Sequence, residues 1–120
     1  MSKIKVGIIN VTGYAGIELA RLLFRHPDVE LISVTGRSLA GKALDSAFPH
    51  LADSDLIIEE KLAEGDLAFS AMPHLESARE VLPLLNRGTR IIDISADFRL
   101  KDAGDYLNWY GVTHPCPELL

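Results

Sequence analysis

The fold is decided by the stretch Lys5-Val6-Gly7-Ile8-Ile9-Asn10-Val11-Thr12-Gly13-Tyr14-Ala15-Gly16. After Lys5 its next four residues are apolar and rich in β-branched side chains, which predicts a buried strand over 5–9. After a turn, apolar residues recur with helical spacing and predict a helix over 14–25. Small residues between a strand and a helix let the backbone approach a pyrophosphate, and the helix start supplies N–H groups. The stretch is therefore a variant of the glycine-rich dinucleotide-binding turn.

Asparagine replaces the first glycine of this turn. Gly13 and Gly16 keep the spacing of the last two glycines, and Asn10 stands where the first would be. Asparagine tolerates positive φ, so the turn can still form, although its side chain would crowd the site. An alternative is a tight turn that needs glycine only for packing. We expect a pyrophosphate cradle, with two residues at the turn and four at the helix start: Asn10 and Thr12, then Gly13, Tyr14, Ala15 and Gly16.

The rest of the chain alternates strands with helices. Apolar runs predict strands over 30–35, 56–58, 66–70 and 90–94, and a helix over 74–87 that Pro83 should kink or split. Residues 36–55 are expected to be irregular, with room for a short helix, and residues 109–111 to lie in a loop. The alternation predicts an α/β fold, namely a Rossmann-type doubly wound, mostly parallel sheet with helices on both faces.

The end of the second predicted strand indicates which dinucleotide is bound. NAD-preferring sites usually have a carboxylate there, bonded to the ribose 2′-hydroxyl. This chain has Arg37 and Ser38 instead. A guanidinium fork and a hydroxyl suit a 2′-phosphate, and so favour NADP. The alternative is an exposed arginine in a solvated loop.

Two further strand ends carry polar residues. Ala71 and Pro73 are small enough to let a nicotinamide ribose pass close to the backbone, although an ordinary loop explains them as well. His74 is a possible base, but a helix cap or a surface position is the simpler interpretation. Residues 95–99 combine a hydroxyl, a carboxylate and a guanidinium. They either line an anionic substrate pocket, or Asp97 and Arg99 pair with each other and cap a helix.

Composition excludes several classes of protein. The 120 residues are 48% hydrophobic and carry a net charge of −5, which disfavours sequence-independent nucleic-acid binding. The single cysteine, Cys116, cannot form an internal disulfide, and its neighbouring prolines make a catalytic pair with His114 awkward. The four histidines are too scattered to predict a metal site. With no signal peptide or membrane-spanning run at the start, we expect a cytoplasmic protein.

Several segments in the right order resemble the N-acetyl-gamma-glutamyl-phosphate reductase family. They are 10–23, 25–27, 35–38, 40–42 and 72–74. The most specific is Ile92-Asp93-Ile94-Ser95-Ala96-Asp97-Phe98-Arg99-Leu100-Lys101-Asp102, followed by Trp109-Tyr110-Gly111 and Pro117-Glu118-Leu119. The resemblance covers practically the whole chain. It implies an NADP-dependent reductase of an acyl phosphate in arginine biosynthesis, acting through a cysteine thioester.

The resemblance also implies that catalysis needs more than these residues. The nucleophilic cysteine and the histidine of the family lie beyond the equivalent of Leu120, so no catalytic residue is assigned. We expect residues 1–120 to be the NAD(P)-binding domain of a longer homo-oligomeric enzyme, without the downstream catalytic and dimerisation domain, and inactive alone. Three alternatives remain: a sibling reductase acting on aminoadipyl or aspartyl phosphate, a non-catalytic dinucleotide-binding module, and an interaction domain that has lost its cofactor.

Overall fold

Five parallel strands form one sheet in the computed structural model, which describes residues 3–51 and 55–120. The strands, in chain order, are β1 (Ile4–Ile9), β2 (Val29–Thr35), β3 (Ile58–Glu59), β4 (Leu67–Ser70) and β5 (Arg90–Asp93). Their order across the sheet is β3-β2-β1-β4-β5, and each neighbouring pair is parallel. The predicted strands are confirmed, with their ends shifted by at most two residues.

The strand order creates a crevice at one edge of the sheet. From β1 the chain moves outward through β2 to β3, and then returns to place β4 and β5 on the other side of β1. The connections after β1 and β4 therefore leave the sheet in opposite directions. Such a reversal opens a crevice at the carboxyl ends of the two central strands, where doubly wound sheets bind their ligands.

Helices cover both faces of the sheet. They are α1 (Tyr14–Phe24), α2 (Leu44–Ala47), α3 (Glu76–Asn86) and α4 (Ala103–Tyr110). From α1, Ala20 and Leu23 join one core with Val6 and Ile8 of β1. On the opposite face α3 packs against the next β1 residue, Ile9, because neighbouring residues of a strand point to opposite faces. The predicted doubly wound fold is confirmed. Within the described ranges, no helix combines the length and apolar character needed to cross a bilayer.

One prediction about helices is wrong, and of the two outcomes expected at Pro83 one is ruled out. Residues 109 and 110 end helix α4 instead of lying in a loop. The helix begins where the Asp102 side chain accepts a hydrogen bond from the Asp105 N–H, and it ends at Gly111, whose φ is +72°. Only one of its residues, Tyr106, is buried, so the helix leaves no apolar periodicity in the sequence. In addition, Pro83 lies inside α3 without splitting it.

Candidate functional site

A cleft of about 240 Å³ lies at the carboxyl ends of β1, β2 and β4. Its lining comes from the last residues of β1 and β2, from the segments that follow β1 to β4, and from α3: Ile9, Asn10, Thr12, Thr35, Gly36, Arg37, Ser38, Glu60, Met72, Pro73, Glu76 and Glu80. A larger cavity of about 560 Å³ lies at the amino ends of β1, β4 and β5. Because doubly wound sheets bind ligands at the carboxyl ends of their strands, we take the smaller cleft as the candidate site.

The start of α1 is open towards solvent. Among the residues that the structure describes, no side chain caps this helix end, and its first turn holds no acidic residue. An anion placed there would meet the first N–H groups of the helix and the positive end of its dipole. This is the arrangement that the sequence predicts for a pyrophosphate.

The two glycines of the turn serve different purposes. A Cβ atom on Gly16 would lie 2.2 Å from the Asn10 carbonyl oxygen and 2.8 Å from the Val11 Cα, so packing requires glycine there. A Cβ atom on Gly13 would have the Asn10 Nδ2 as its nearest neighbour, at 3.7 Å, and Gly13 has an ordinary φ of −82°. The packing alternative therefore explains Gly16 but not Gly13. The bare backbone at Gly13 is what close approach of a ligand requires.

Asn10 ties three strand ends together. Its φ of +67° confirms that asparagine takes the left-handed conformation expected of the missing glycine. The backbone N–H of Asn10 donates to Thr35 Oγ1 (3.1 Å), and its side-chain Nδ2 donates to the Ala71 carbonyl (3.1 Å). The Oδ1 atom accepts a hydrogen bond from Thr12 Oγ1 at 3.1 Å. The Asn10 side chain lines the cleft, and both its amide nitrogen and its amide oxygen are hydrogen-bonded within the protein.

Arg37 reaches across the cleft to a carboxylate. Its Nη1 lies 3.0 Å from Oε1 of Glu76, the first residue of α3, and the Arg37 side chain is 72% exposed. Glu60 and Glu80 line the same cleft. The sequence at the end of β2 contains no carboxylate, but the fold brings one to Arg37. The guanidinium keeps other N–H groups for a further anion.

The other predicted cofactor residues surround this cleft. Ser38 and Pro73 line it directly and are exposed. The N–H of Ala71 donates to the Ile9 carbonyl at 3.0 Å, which fixes the loop after β4 beside β1. Tyr14, 98% exposed, lines a neighbouring depression with Thr12 and Gly13, and Ala15 is exposed beside it. The structure therefore gathers the predicted residues at one edge of the sheet.

Asp97 is a buried helix cap. Its carboxylate accepts hydrogen bonds from the Leu75 N–H (2.8 Å) and the Ala78 N–H (2.7 Å) at the start of α3. It also accepts one from the Tyr106 hydroxyl at 2.7 Å. Arg99 donates instead to the Ile94 and Ser95 carbonyls. The capping alternative is thus confirmed for Asp97, whereas the pairing of Asp97 with Arg99 is wrong.

Cys116 is poorly placed to act as a nucleophile. The thiol is buried, and burial is the main reason that its pKa is raised, with Glu118 and Asp97 adding to the effect. Its backbone N–H donates to Nδ1 of His114 (2.9 Å), so the His114 proton lies on Nε2, which donates to the Asp97 carbonyl. A nucleophilic cysteine needs a lowered pKa and access. In the described part of the chain, no three His, Cys, Asp or Glu side chains are grouped to hold a metal ion.

The buried Tyr106 predicts a loss of stability at alkaline pH. Burial first, and then the hydrogen bond to Asp97, raise the pKa of its phenol above the ordinary value near 10. The folded state then holds a proton that the unfolded state loses, so the free energy of unfolding falls as pH rises above about 10. Urea unfolding of the wild type and Tyr106→Phe from pH 8 to 11 measures this. The Tyr106→Phe variant should be less stable at pH 8 by about 1–3 kcal/mol, but its free energy of unfolding should fall less steeply with pH.

Tyr14→Phe is the control, because it removes an exposed phenol. Its free energy of unfolding should fall with pH as steeply as that of the wild type. Equal pH dependence in all three proteins would contradict the prediction.

A known family matches nearly the whole chain. Residues 5–118 fit the profile described as "Semialdehyde dehydrogenase, NAD binding domain". The chain belongs to this family.

Several curated relatives that match this chain are named N-acetyl-gamma-glutamyl-phosphate reductase. One, from Dehalococcoides mccartyi strain 195, is 65% identical over all of this chain and 36% of its own length. Another, from Alkalilimnicola ehrlichii, is 47% identical over 98% of this chain and 36% of its own length. The chain thus spans about a third of the length of these relatives. The resemblance drawn from the sequence is confirmed.

A solved structure has the same fold. It is an aspartate semialdehyde dehydrogenase with NADP from Candida albicans, and it matches with a TM-score of 0.68 over 95% of this chain and 41% of its own. The two sequences are only 18% identical, so this similarity concerns the fold. It agrees with the Rossmann-type sheet described above.

Sequence reasoning missed the carboxylates of the cleft. Glu76 and Glu80 belong to α3, and Glu60 follows the short strand β3. The available signal was that helix α3 begins just after β4, which places its first turn at the same edge as Arg37. The pairing itself joins residues 39 positions apart and is visible only in the structure.

Proposed function

We propose that the chain is the NADP-binding part, residues 1–120, of an N-acetyl-gamma-glutamyl-phosphate reductase. The observation that carries this proposal is the cleft at the strand reversal, where Arg37, exposed and paired with Glu76, lies at the same edge of the sheet as the open start of α1. Membership of an NAD-binding domain family and 65% identity to a reductase of that name support it. The whole enzyme is proposed to be cytoplasmic and homo-oligomeric.

The residues present fit a dinucleotide with a 2′-phosphate. The backbone of residues 13–16 would hold the pyrophosphate, because the helix start is open and Gly13 leaves room for close approach. Arg37 and Ser38 would hold the 2′-phosphate through charged hydrogen bonds. Ala71 and Pro73 would lie near the nicotinamide half. In this assignment Asn10 and Thr12 fix the turn between the two halves of the site.

The proposed reaction reduces N-acetyl-glutamyl 5-phosphate to N-acetyl-glutamate 5-semialdehyde, a step of arginine biosynthesis. NADPH supplies the hydride when it is bound. The role of these residues is to bind and orient that cofactor. We place the thioester-forming cysteine outside them, because Cys116 is buried and its thiol has a raised pKa. The 120-residue chain alone should therefore bind NADP without turning over the acyl phosphate.

Calorimetric titration of this chain with NADP, and in parallel with NAD at the same ionic strength, tests the proposal. Binding of both with NADP preferred, or of NADP alone, is the expected result. Binding of neither nucleotide would overturn it and favour an interaction domain without a cofactor. Preference for NAD would overturn the assignment of Arg37 and Ser38. Turnover of the acyl phosphate by this chain would contradict the proposal that the thioester-forming cysteine lies outside these residues.

Arg37→Ala should weaken NADP binding selectively. The loss is expected to be about 1.5–3 kcal/mol, the range of a hydrogen bond to a charged group, with NAD affinity nearly unchanged. Titration of both nucleotides measures it. Arg21→Ala is the matched control, since Arg21 is partly exposed and also paired with a glutamate, Glu18, but lies on α1 away from the cleft lining. Equal losses for NADP and NAD would disprove the role of Arg37.

A further inference from the structure

The ion pair between Arg37 and Glu76 spans the cleft. Arg37 follows β2 and Glu76 opens α3 after β4, and these two strands flank β1 in the sheet. The Nη1–Oε1 contact of 3.0 Å therefore joins opposite sides of the carboxyl end of β1. Asn10 and Thr12, which follow β1, line the same cleft. The contact is long-range and depends on the assembled sheet, because the partners are 39 residues apart.

Glu76 differs from the other acidic residues that line the cleft. Within residues 3–51 and 55–120, it is the carboxylate found in ion-pair contact with Arg37. Glu80 lies one helical turn later on α3 and also lines the cleft, but contributes charge without a contact to this guanidinium. The Glu76 side chain is 38% exposed, so the pair can open into water. Comparing variants of Glu76 and Glu80 therefore distinguishes the effect of the ion pair with Arg37 from the effect of negative charge in the cleft.

The pair and a 2′-phosphate need the same cation. A phosphate at Arg37 either displaces the Glu76 carboxylate or lies close to it, and like charges repel. The 2′-hydroxyl of NAD carries no charge, so it neither competes with Glu76 for Arg37 nor is repelled by the Glu76 carboxylate. On the basis of the proposed function, we propose that Glu76 is a specificity-determining residue. It competes with the 2′-phosphate for Arg37 and so limits the preference for NADP over NAD.

Glu76→Gln tests this competition in the whole 120-residue chain. Glutamine keeps the size of the side chain and removes its charge. NADP affinity should rise roughly two- to fivefold, the range expected for losing an exposed ion pair, while NAD affinity stays constant. Titration calorimetry with NADP and NAD gives the ratio of the two dissociation constants. Melting temperatures show that each variant is folded.

Two further variants isolate the contact. Glu80→Gln removes the same charge from the same helix, and should change the ratio less than Glu76→Gln does. In an Arg37→Ala background, Glu76→Gln should leave the ratio unchanged, because the cation for which the carboxylate competes is gone. A change in the ratio that survives the loss of Arg37 would mean that Glu76 acts through general repulsion, and would overturn the proposal.

The remaining outcomes also decide the question. Weaker NADP binding by Glu76→Gln would show that the carboxylate positions Arg37 for the phosphate, which is the reverse of competition. An unchanged ratio would show that the pair has no effect on specificity. Either result overturns the inference while leaving cofactor binding intact. Failure of the wild type to bind either nucleotide would instead overturn the proposed function itself.

Discussion

Asp97→Ala is expected to lower the free energy of unfolding by about 3–5 kcal/mol, the largest effect of any change considered. The fully buried Asp97 carboxylate accepts three hydrogen bonds of 2.7–2.8 Å, from Leu75, Ala78 and Tyr106. Its removal leaves three donors without their acceptor, at about 1–3 kcal/mol each before the structure relaxes. Because a domain is stable by only about 5–15 kcal/mol, this loss removes a large fraction of the total stability. Urea unfolding at neutral pH measures the loss.

The backbone at Leu75 adds to this expectation. Leu75 has φ +68° and ψ −51°, which is uncommon for a leucine and costs about 1–3 kcal/mol. Its N–H is held by Asp97, so the same carboxylate keeps a strained residue in place at the start of α3. Without that bond the start of the helix should relax. Glu76 and Pro73, on either side of Leu75, would then lose their positions in the cleft.

Asp102→Ala is the matched control for Asp97→Ala. Asp102 also caps a helix with its carboxylate, but it is exposed and accepts one hydrogen bond, from the Asp105 N–H at 3.0 Å. Loss of an ordinary N-cap costs about 1 kcal/mol. A cost for Asp97→Ala no larger than that for Asp102→Ala would contradict the prediction. It would mean that burial and the bond to Tyr106 add nothing.

The sheet could be predicted from the sequence because its signals are local. Apolar runs and the turn at 10–13 mark the strands, and their alternation with helices fixes parallel pairing. Helix α4 gives no such signal, since Tyr106 is its one buried residue. Its stability depends on the Asp102 cap, on Gly111 and on the contact of Tyr106 with Asp97, which lies outside the helix. A helix that contacts the rest of the chain through a few aromatic side chains, such as Tyr106 and Tyr110, leaves no periodic pattern.

The candidate site was predictable only where the chain itself brings residues together. The turn at 10–16 lies at one strand end, and Arg37 follows the next strand, so topology alone places both at the same edge. The Glu76 partner of Arg37 depends on where α3 begins and on which way two long side chains point. The buried role of Asp97 depends on α4, which the sequence does not reveal. Contacts between side chains of different elements depend on the tertiary structure, so the sequence alone does not predict them.

Gly16→Ala is the second change with a large expected effect, a loss of about 3 kcal/mol or more in stability. Alanine normally stabilises a helix relative to glycine by about 1 kcal/mol. Here sterics win, because the new Cβ would lie 2.2 Å from the Asn10 carbonyl oxygen and 2.8 Å from the Val11 Cα. Both are backbone atoms, so α1 must move away from the turn. Urea unfolding measures the stability, and NADP affinity should fall more than tenfold as the helix start shifts.

Gly13→Ala separates the packing of the turn from its use as a binding site. A Cβ atom there would meet nothing closer than 3.7 Å, and φ is −82°, so stability should change by less than about 1 kcal/mol. NADP affinity should nevertheless fall, because a methyl group would stand where we expect the pyrophosphate to approach. Unchanged NADP affinity in a folded Gly13→Ala variant would place the pyrophosphate elsewhere. If Gly13→Ala instead cost as much stability as Gly16→Ala, both glycines would be required for packing. The glycine at position 13 would then no longer indicate a pyrophosphate-binding site.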